Sequence, residues 1–207
     1  QSRALLDLLA ETPPACAYYG SQYNRNTGRL PDLSGNARHA TVRGNGVQLG
    51  EGPGDGANRD IRFLEGSTES IVEFPEMSVP ATFTVCSVTR YTSSLDAQQK
   101  RVLSCLDSGK PNWAHGHMVA GRRGAAFYGT TAVSTPPADE PDTNWLVMCG
   151  TNDPSTQAPS NVIYEQNEIG TRNGGTGSCA LHVNKYRALA SPFALHSVLI
   201  WDKGLSP

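Results

Sequence analysis

The stretch Thr82-Phe83-Thr84-Val85-Cys86-Ser87-Val88-Thr89-Arg90-Tyr91 decides the fold class. Its β-branched and aromatic residues favour an extended chain, in which successive side chains point to opposite faces. One face then carries Phe83, Val85, Ser87 and Thr89, and the other Thr84, Cys86, Val88 and Arg90. Both faces are partly apolar, the composition of a central strand covered on two sides. On either side of it, short strand-like runs recur at 61–64, 70–74, 101–105, 114–120, 125–128, 145–151, 162–164, 180–183 and 194–201. Turn residues separate them and no long helix intervenes, which predicts an antiparallel sandwich or barrel. With 21 glycines and 14 prolines the chain is punctuated too often for a helical bundle.

The 207 residues suffice for one domain with a sizeable core. Residues 2–11 are the one helical stretch: Ser2 caps it, Leu5, Leu6 and Leu9 share a face, and Pro13-Pro14 ends it. We therefore expect a helix and linker over 1–17 and the β domain over 18–207. Residues 18–57, rich in Gly, Asn, Asp and Arg, read as a turn-rich meander. The 17 basic against 19 acidic side chains give no electrostatic reason to bind nucleic acid. No window reaches the ~18–20 continuous apolar residues of a membrane-spanning helix. The start at Gln1 fits a removed signal peptide or a piece of a longer chain.

Five cysteines, Cys16, Cys86, Cys105, Cys149 and Cys179, show neither a CxxC nor zinc-site spacing. Two readings stand: buried thiols packing as small hydrophobes, or an oxidised extracellular protein with two disulfides and one odd cysteine.

Several segments in order resemble the concanavalin A-like lectin and glucanase superfamily, in particular its laminin G-like jelly-roll domains. They are LPDLSGN at 30–36, FTVCSVTRY at 83–91, NWAHGHM at 112–118, WLVMCGT at 145–151 and FALHSVLIWDKGLS at 193–206. The nearest pattern is that of a subgroup in secreted or surface proteins of algae, other protists and large viruses. The resemblance implies an all-β antiparallel sandwich of jelly-roll type with a short N-terminal helix. It places the strands of Cys86 and Cys149 side by side, with a disulfide between them in an oxidising compartment and Cys105–Cys179 as the second pair. It implies a non-catalytic extracellular or cell-surface recognition module that binds a glycan or glycoprotein. The alternative is a building block of an extracellular filament, cell coat or virion surface, with neighbouring chains as its partners. The odd cysteine, the leading helix and the abrupt C-terminus favour that alternative.

Glycanases of this fold carry paired carboxylates on one strand face. No E-x-D-x-E pattern occurs here, and Glu165 and Glu168 fall where a hairpin turn is expected. G-x-S-x-G and a P-loop are also absent, so no enzymatic activity is expected. His115 and His117 share a strand face, but two ligands do not make a zinc site without His39, His182 or His196. No cofactor is required. Asp55, Asn58 and Asp60 are the oxygen ligands a calcium ion would use, but turn chemistry is the better account of them, as it is of Asp139, Glu140 and Asp142. Lys100-Arg101 and Arg122-Arg123 suit a solvated strand edge. The candidate glycan face is Trp113, His115 and His117 at i, i+2 and i+4, with Asn112 and Arg122 at its ends. An indole stacks on a pyranose while imidazoles bond its hydroxyls. The competing reading makes Trp113 a core residue.

Overall fold

The computed structural model describes residues 9–53, 59–106, 112–118, 123–129, 143–153, 162–164, 167–170 and 175–205. The first strands are β1 (Cys16–Tyr19), β2 (Arg29–Leu30), β3 (Ala40–Arg43), β4 (Gln48–Pro53) and β5 (Asp60–Gly66). They are followed by β6 (Ile71–Glu73), β7 (Thr84–Tyr91), β8 (Leu103–Cys105), β9 (Trp113–His117) and β10 (Arg123–Tyr128). The last are β11 (Leu146–Thr151), β12 (Val162–Tyr164), β13 (Asn167–Gly170), β14 (His182–Val183) and β15 (Phe193–Trp201). They form two antiparallel sheets, the β-sandwich that the alternation predicts. One runs β13-β12-β11-β7-β15-β5-β4 with β1 added on β15, and the other β10-β9-β8-β14-β6-β3-β2.

β7 is central, flanked by β11 and β15. Val85, Ser87, Thr89 and Tyr91 are buried against the other sheet, while Cys86, Val88 and Arg90 are half-buried on the outer face. That face is covered because Phe63, Trp145 and Ala194 form a second small cluster with Ile61 and Val88. Within it the Arg90 guanidinium lies 5.5 Å from the Phe63 ring and 5.2 Å from the Trp145 ring. Such cation–π contacts let a charge lie over apolar surface. At the end of the strand, Thr84 Oγ1 donates to Lys203 O and accepts from Leu205 N–H, binding the C-terminal segment to the sheet.

Every expected strand is present, with ends no more than three residues from those expected. β1 to β4 lie in the stretch read as turn-rich, and β1 straddles the boundary expected at residue 17. Residues 9–11 are helical with Leu9 half-buried, and Trp201 Nε1 donates to Thr12 O at 2.8 Å. Ser2, Leu5 and Leu6 fall outside the described residues.

Both disulfides form with the expected partners. Cys86 and Cys149 are register partners on β7 and β11 with Cα atoms 4.0 Å apart. Cys105 on β8 bonds Cys179, which is buried three residues before β14, the neighbour of β8 in the same sheet. Cys16 is free and fully buried, so it offers no bridge to a neighbouring chain, and burial pushes its thiol pKa up. One argument for assembly thereby fails.

Candidate functional site

Trp113, His115 and His117 do share a face, but it is the inner one. All three have 0% exposure, which corrects the expectation of a ligand face. Trp113 packs at 5.9 Å from Phe83 and 5.0 Å from Tyr128, ring centroid to centroid. His115 Nε2 lies 3.3 Å from the carbonyl of Met148, so that nitrogen carries the proton and Nδ1, 2.8 Å from Tyr128 Oη, accepts from the phenol. Desolvation drives the His115 pKa down to about 4, partly offset by the Met148 bond, so the ring is neutral at pH 7. His117 Nδ1 lies 3.3 Å from Thr89 Oγ1, and its ring packs edge-on against Tyr91. Strand periodicity reports which side chains share a face, not which face the second sheet covers.

The remaining expected positions do not assemble into a site. Asn112 is exposed, and its Oδ1 accepts from Arg101, which is itself buried. Arg101 is therefore not part of a solvated edge, and desolvation lowers its pKa. Arg122, Asp55 and Asn58 lie outside the described residues. Asp60 is an exposed strand residue opposite Pro53. Glu168, expected in a turn, stands in β13 opposite Ile163, while Glu165 lies outside the described residues. Among the described residues no three His, Cys, Asp or Glu side chains are placed to hold a metal ion.

An open cavity of about 530 Å³ lies instead at the β2–β3 edge, within the ordinary range of ligand pockets. It is built from the turn upward. Asn24 Oδ1 accepts the N–H groups of Asn26 and Thr27, and Asn24 and Arg29 exchange both main-chain bonds across the hairpin. Gly28 closes that turn at φ +62°, a conformation glycine adopts without steric cost. Arg29 and Thr41 then face each other across β2 and β3, both exposed on the outer face of the seven-stranded sheet.

The loop between these strands is organised by Asp32. Its Oδ1 accepts from the N–H groups of Ala17 and Ser34, and its Oδ2 from Ser34 Oγ and Arg38 N–H. Burial alone would raise its pKa, but the four donors outweigh that and hold the carboxyl below its usual range. The N–H of Asp32 donates to His39 Nδ1 at 3.0 Å. In the neutral ring the proton therefore sits on Nε2. Tyr18 Oη, reaching up from the core, donates to the carbonyl of Arg38. The Arg38 guanidinium is held by the carbonyls of Glu76 and Met77 at 2.9 and 2.8 Å, beside Pro75 at the cavity wall. Two arginines, a histidine and two threonines thus line one concavity on hydrogen-bonded main chain.

No protein-family model matches the chain, and no curated protein is significantly similar in sequence. Solved structures do share its architecture. Domain 4 of AbnA, a GH43 extracellular arabinanase from Geobacillus stearothermophilus in complex with arabinotriose, has a TM-score of 0.61 at 15% identity, covering 92% of this chain and 95% of that one. Botulinum neurotoxin type C, which enters cells dependent upon interaction with two ganglioside molecules, gives 0.60 at 15% identity, over 93% of this chain. Trypanosoma rangeli sialidase in complex with sialic acid gives 0.59 at 9%, over 92% of this chain. The chain spans only 48% of the toxin structure and 31% of the sialidase. These likenesses establish the β-sandwich fold.

Proposed function

We propose that this chain is a non-catalytic carbohydrate-recognition module of concanavalin A-like, laminin G-like type that works outside the cell. The observation that carries the reading is the cavity at the β2–β3 edge. It offers hydroxyl, imidazole and guanidinium donors, on a pre-ordered loop, to a ligand rich in acceptor oxygens. The described bound partners of the structural neighbours, arabinotriose, gangliosides and sialic acid, support sugars as the ligand class. Fold alone does not fix function, so the weight rests on the cavity. Catalysis is not proposed, since the sequence lacks a carboxylate pair at glycanase spacing. The two disulfides support an oxidising compartment, and no helix of the described residues is long and apolar enough to cross a membrane. A glycan array probed with the intact chain tests the reading. Saturable binding to a defined oligosaccharide is expected, and no binding to any glycan class would overturn it.

A further inference from the structure

We infer that the cavity at the β2–β3 edge selects sugars carrying an anionic group, a carboxylate or a sulfate ester, held by Arg29, Arg38 and His39. This rests on the carbohydrate-binding reading and narrows it. Two features of the cavity lead there, and a third concerns how its rim is built.

The first is uncompensated charge. Arg29 and Arg38 both line the cavity, and none of the residues lining it is acidic. Arg38 spends its Nη2 on two main-chain carbonyls, neutral acceptors that fix the guanidinium without cancelling its charge. Arg29 is exposed and forms no ion pair among the described residues. Among the described residues no acid near the cavity is paired with Arg29 or Arg38. Asp32 spends both oxygens on four donors of its own loop. Glu73, across β3 from Arg29, is held by Arg43 at 2.8 Å. Glu76 contributes only its carbonyl to Arg38. One exposed and one half-buried cation, with no acidic residue in the lining, leave a local positive potential in a chain whose net charge is −2.

The second is donor polarity. Because His39 Nδ1 is already taken by the Asp32 N–H, the free ring nitrogen is the one bearing hydrogen. Arginine has donors only. The guanidinium and imidazole side chains of the lining are therefore donor-only; among its side chains only the threonine hydroxyls can accept, and Thr27 Oγ1 already donates to Asn24 O at 3.4 Å. A neutral sugar hydroxyl, itself a donor as well as an acceptor, uses such a lining poorly. A carboxylate or sulfate, acceptor-only, matches it, and a planar guanidinium fork suits the two oxygens of a carboxylate.

The third is stored strain at the rim. Ala37, the residue before Arg38, sits at φ +54°, in the left-handed region that non-glycine residues adopt at a cost. The next residue is anchored by the Arg38 N–H bond to Asp32, and Arg38 and His39 both line the cavity.

The test uses the intact chain against immobilised neutral, uronic-acid, sialylated and sulfated oligosaccharides, with each carboxylated probe also presented in carboxyl-reduced form. Binding to acidic probes is expected, with affinity falling about 10- to 100-fold on carboxyl reduction and in Arg29→Gln, and falling as salt rises. Arg29 is exposed, so Arg29→Gln should leave Tm unchanged, and the carboxyl-reduced probe needs no variant at all. The uronic-acid and sulfate arms tell which anion is preferred. Equal affinity for the acidic and reduced probes, or full affinity in Arg29→Gln, would overturn the inference while leaving carbohydrate binding intact. Binding to no probe would overturn both.

Discussion

The main-chain N–H of Asp32 donates to Nδ1 of His39 across seven residues, at 3.0 Å. Through that bond the main chain of the residue whose carboxylate organises the loop sets the tautomer of an imidazole in the cavity. Replacing Asp32 by Ala strips four donors of their acceptor, two of them main-chain groups of the loop itself. We predict a loss of roughly 2–4 kcal/mol in denaturant unfolding, with Asp32→Asn costing less. Because the folded carboxyl titrates below its unfolded value of about 3.9, its contribution is present above that pH and is lost as pH falls through the folded pKa. Identical midpoints for wild type and Asp32→Ala would contradict the role given to this carboxylate.

His115 makes a second pH dependence, of larger reach. Unfolded, the ring takes a proton near its ordinary 6.5, whereas in the core it does so only at about 4. Stability from keeping it neutral is complete above 6.5 and is lost progressively as pH falls toward 4, by roughly 3 kcal/mol. His196, lowered by burial, adds in the same sense. Unfolding curves between pH 4 and 7 should show this slope, flattened in His115→Gln. An unchanged slope in that variant would place the titrating group elsewhere.

The strands were legible in the sequence wherever apolar residues alternate, and β7 is the clearest case. The pairing of Cys86 with Cys149 followed from the family resemblance of their two strands. β2 and β3 were not legible: they are two and four residues long, in a Gly- and Asn-rich stretch. Their geometry comes from the side chains of Asn24 and Asp32 bonding main chain, which leaves no hydrophobic period to read. A signal was present all the same, since Asp32 and Ser34, two apart, are the pattern of an Asx-type turn. Trp113, His115 and His117 failed as a ligand face for the opposite reason. Their period was read correctly, but only the second sheet shows that the shared face points inward.

The core position of these residues makes its own prediction. Trp113→Ala should cost roughly 3–5 kcal/mol and leave glycan affinity unchanged at temperatures where the variant is folded. Gly150→Ala should also destabilise, because an added Cβ would come within 2.0 Å of Tyr128 Oη. Thermal unfolding with binding measured below the transition checks both. Selective loss of binding by folded Trp113→Ala would restore it to a ligand-contacting role.

The disulfides close loops with sequence separations of 63 and 74 residues, and each should contribute roughly 2–4 kcal/mol. Non-reducing peptide mapping should recover Cys86–Cys149 and Cys105–Cys179 with Cys16 as a thiol, and reduction should lower the unfolding midpoint. A mapped bridge through Cys16 would contradict its burial.

The most direct measurement is residue-by-residue mapping of backbone and imidazole resonances in isotope-labelled protein, titrated with an oligosaccharide selected on the array. The cavity assignment predicts saturable shifts centred on Thr27, Gly28, Arg29, His39 and Thr41, with little change around Phe63, Arg90 and Trp145 on the opposite sheet. Saturable shifts centred anywhere else, with the β2–β3 hairpin unmoved, would contradict it.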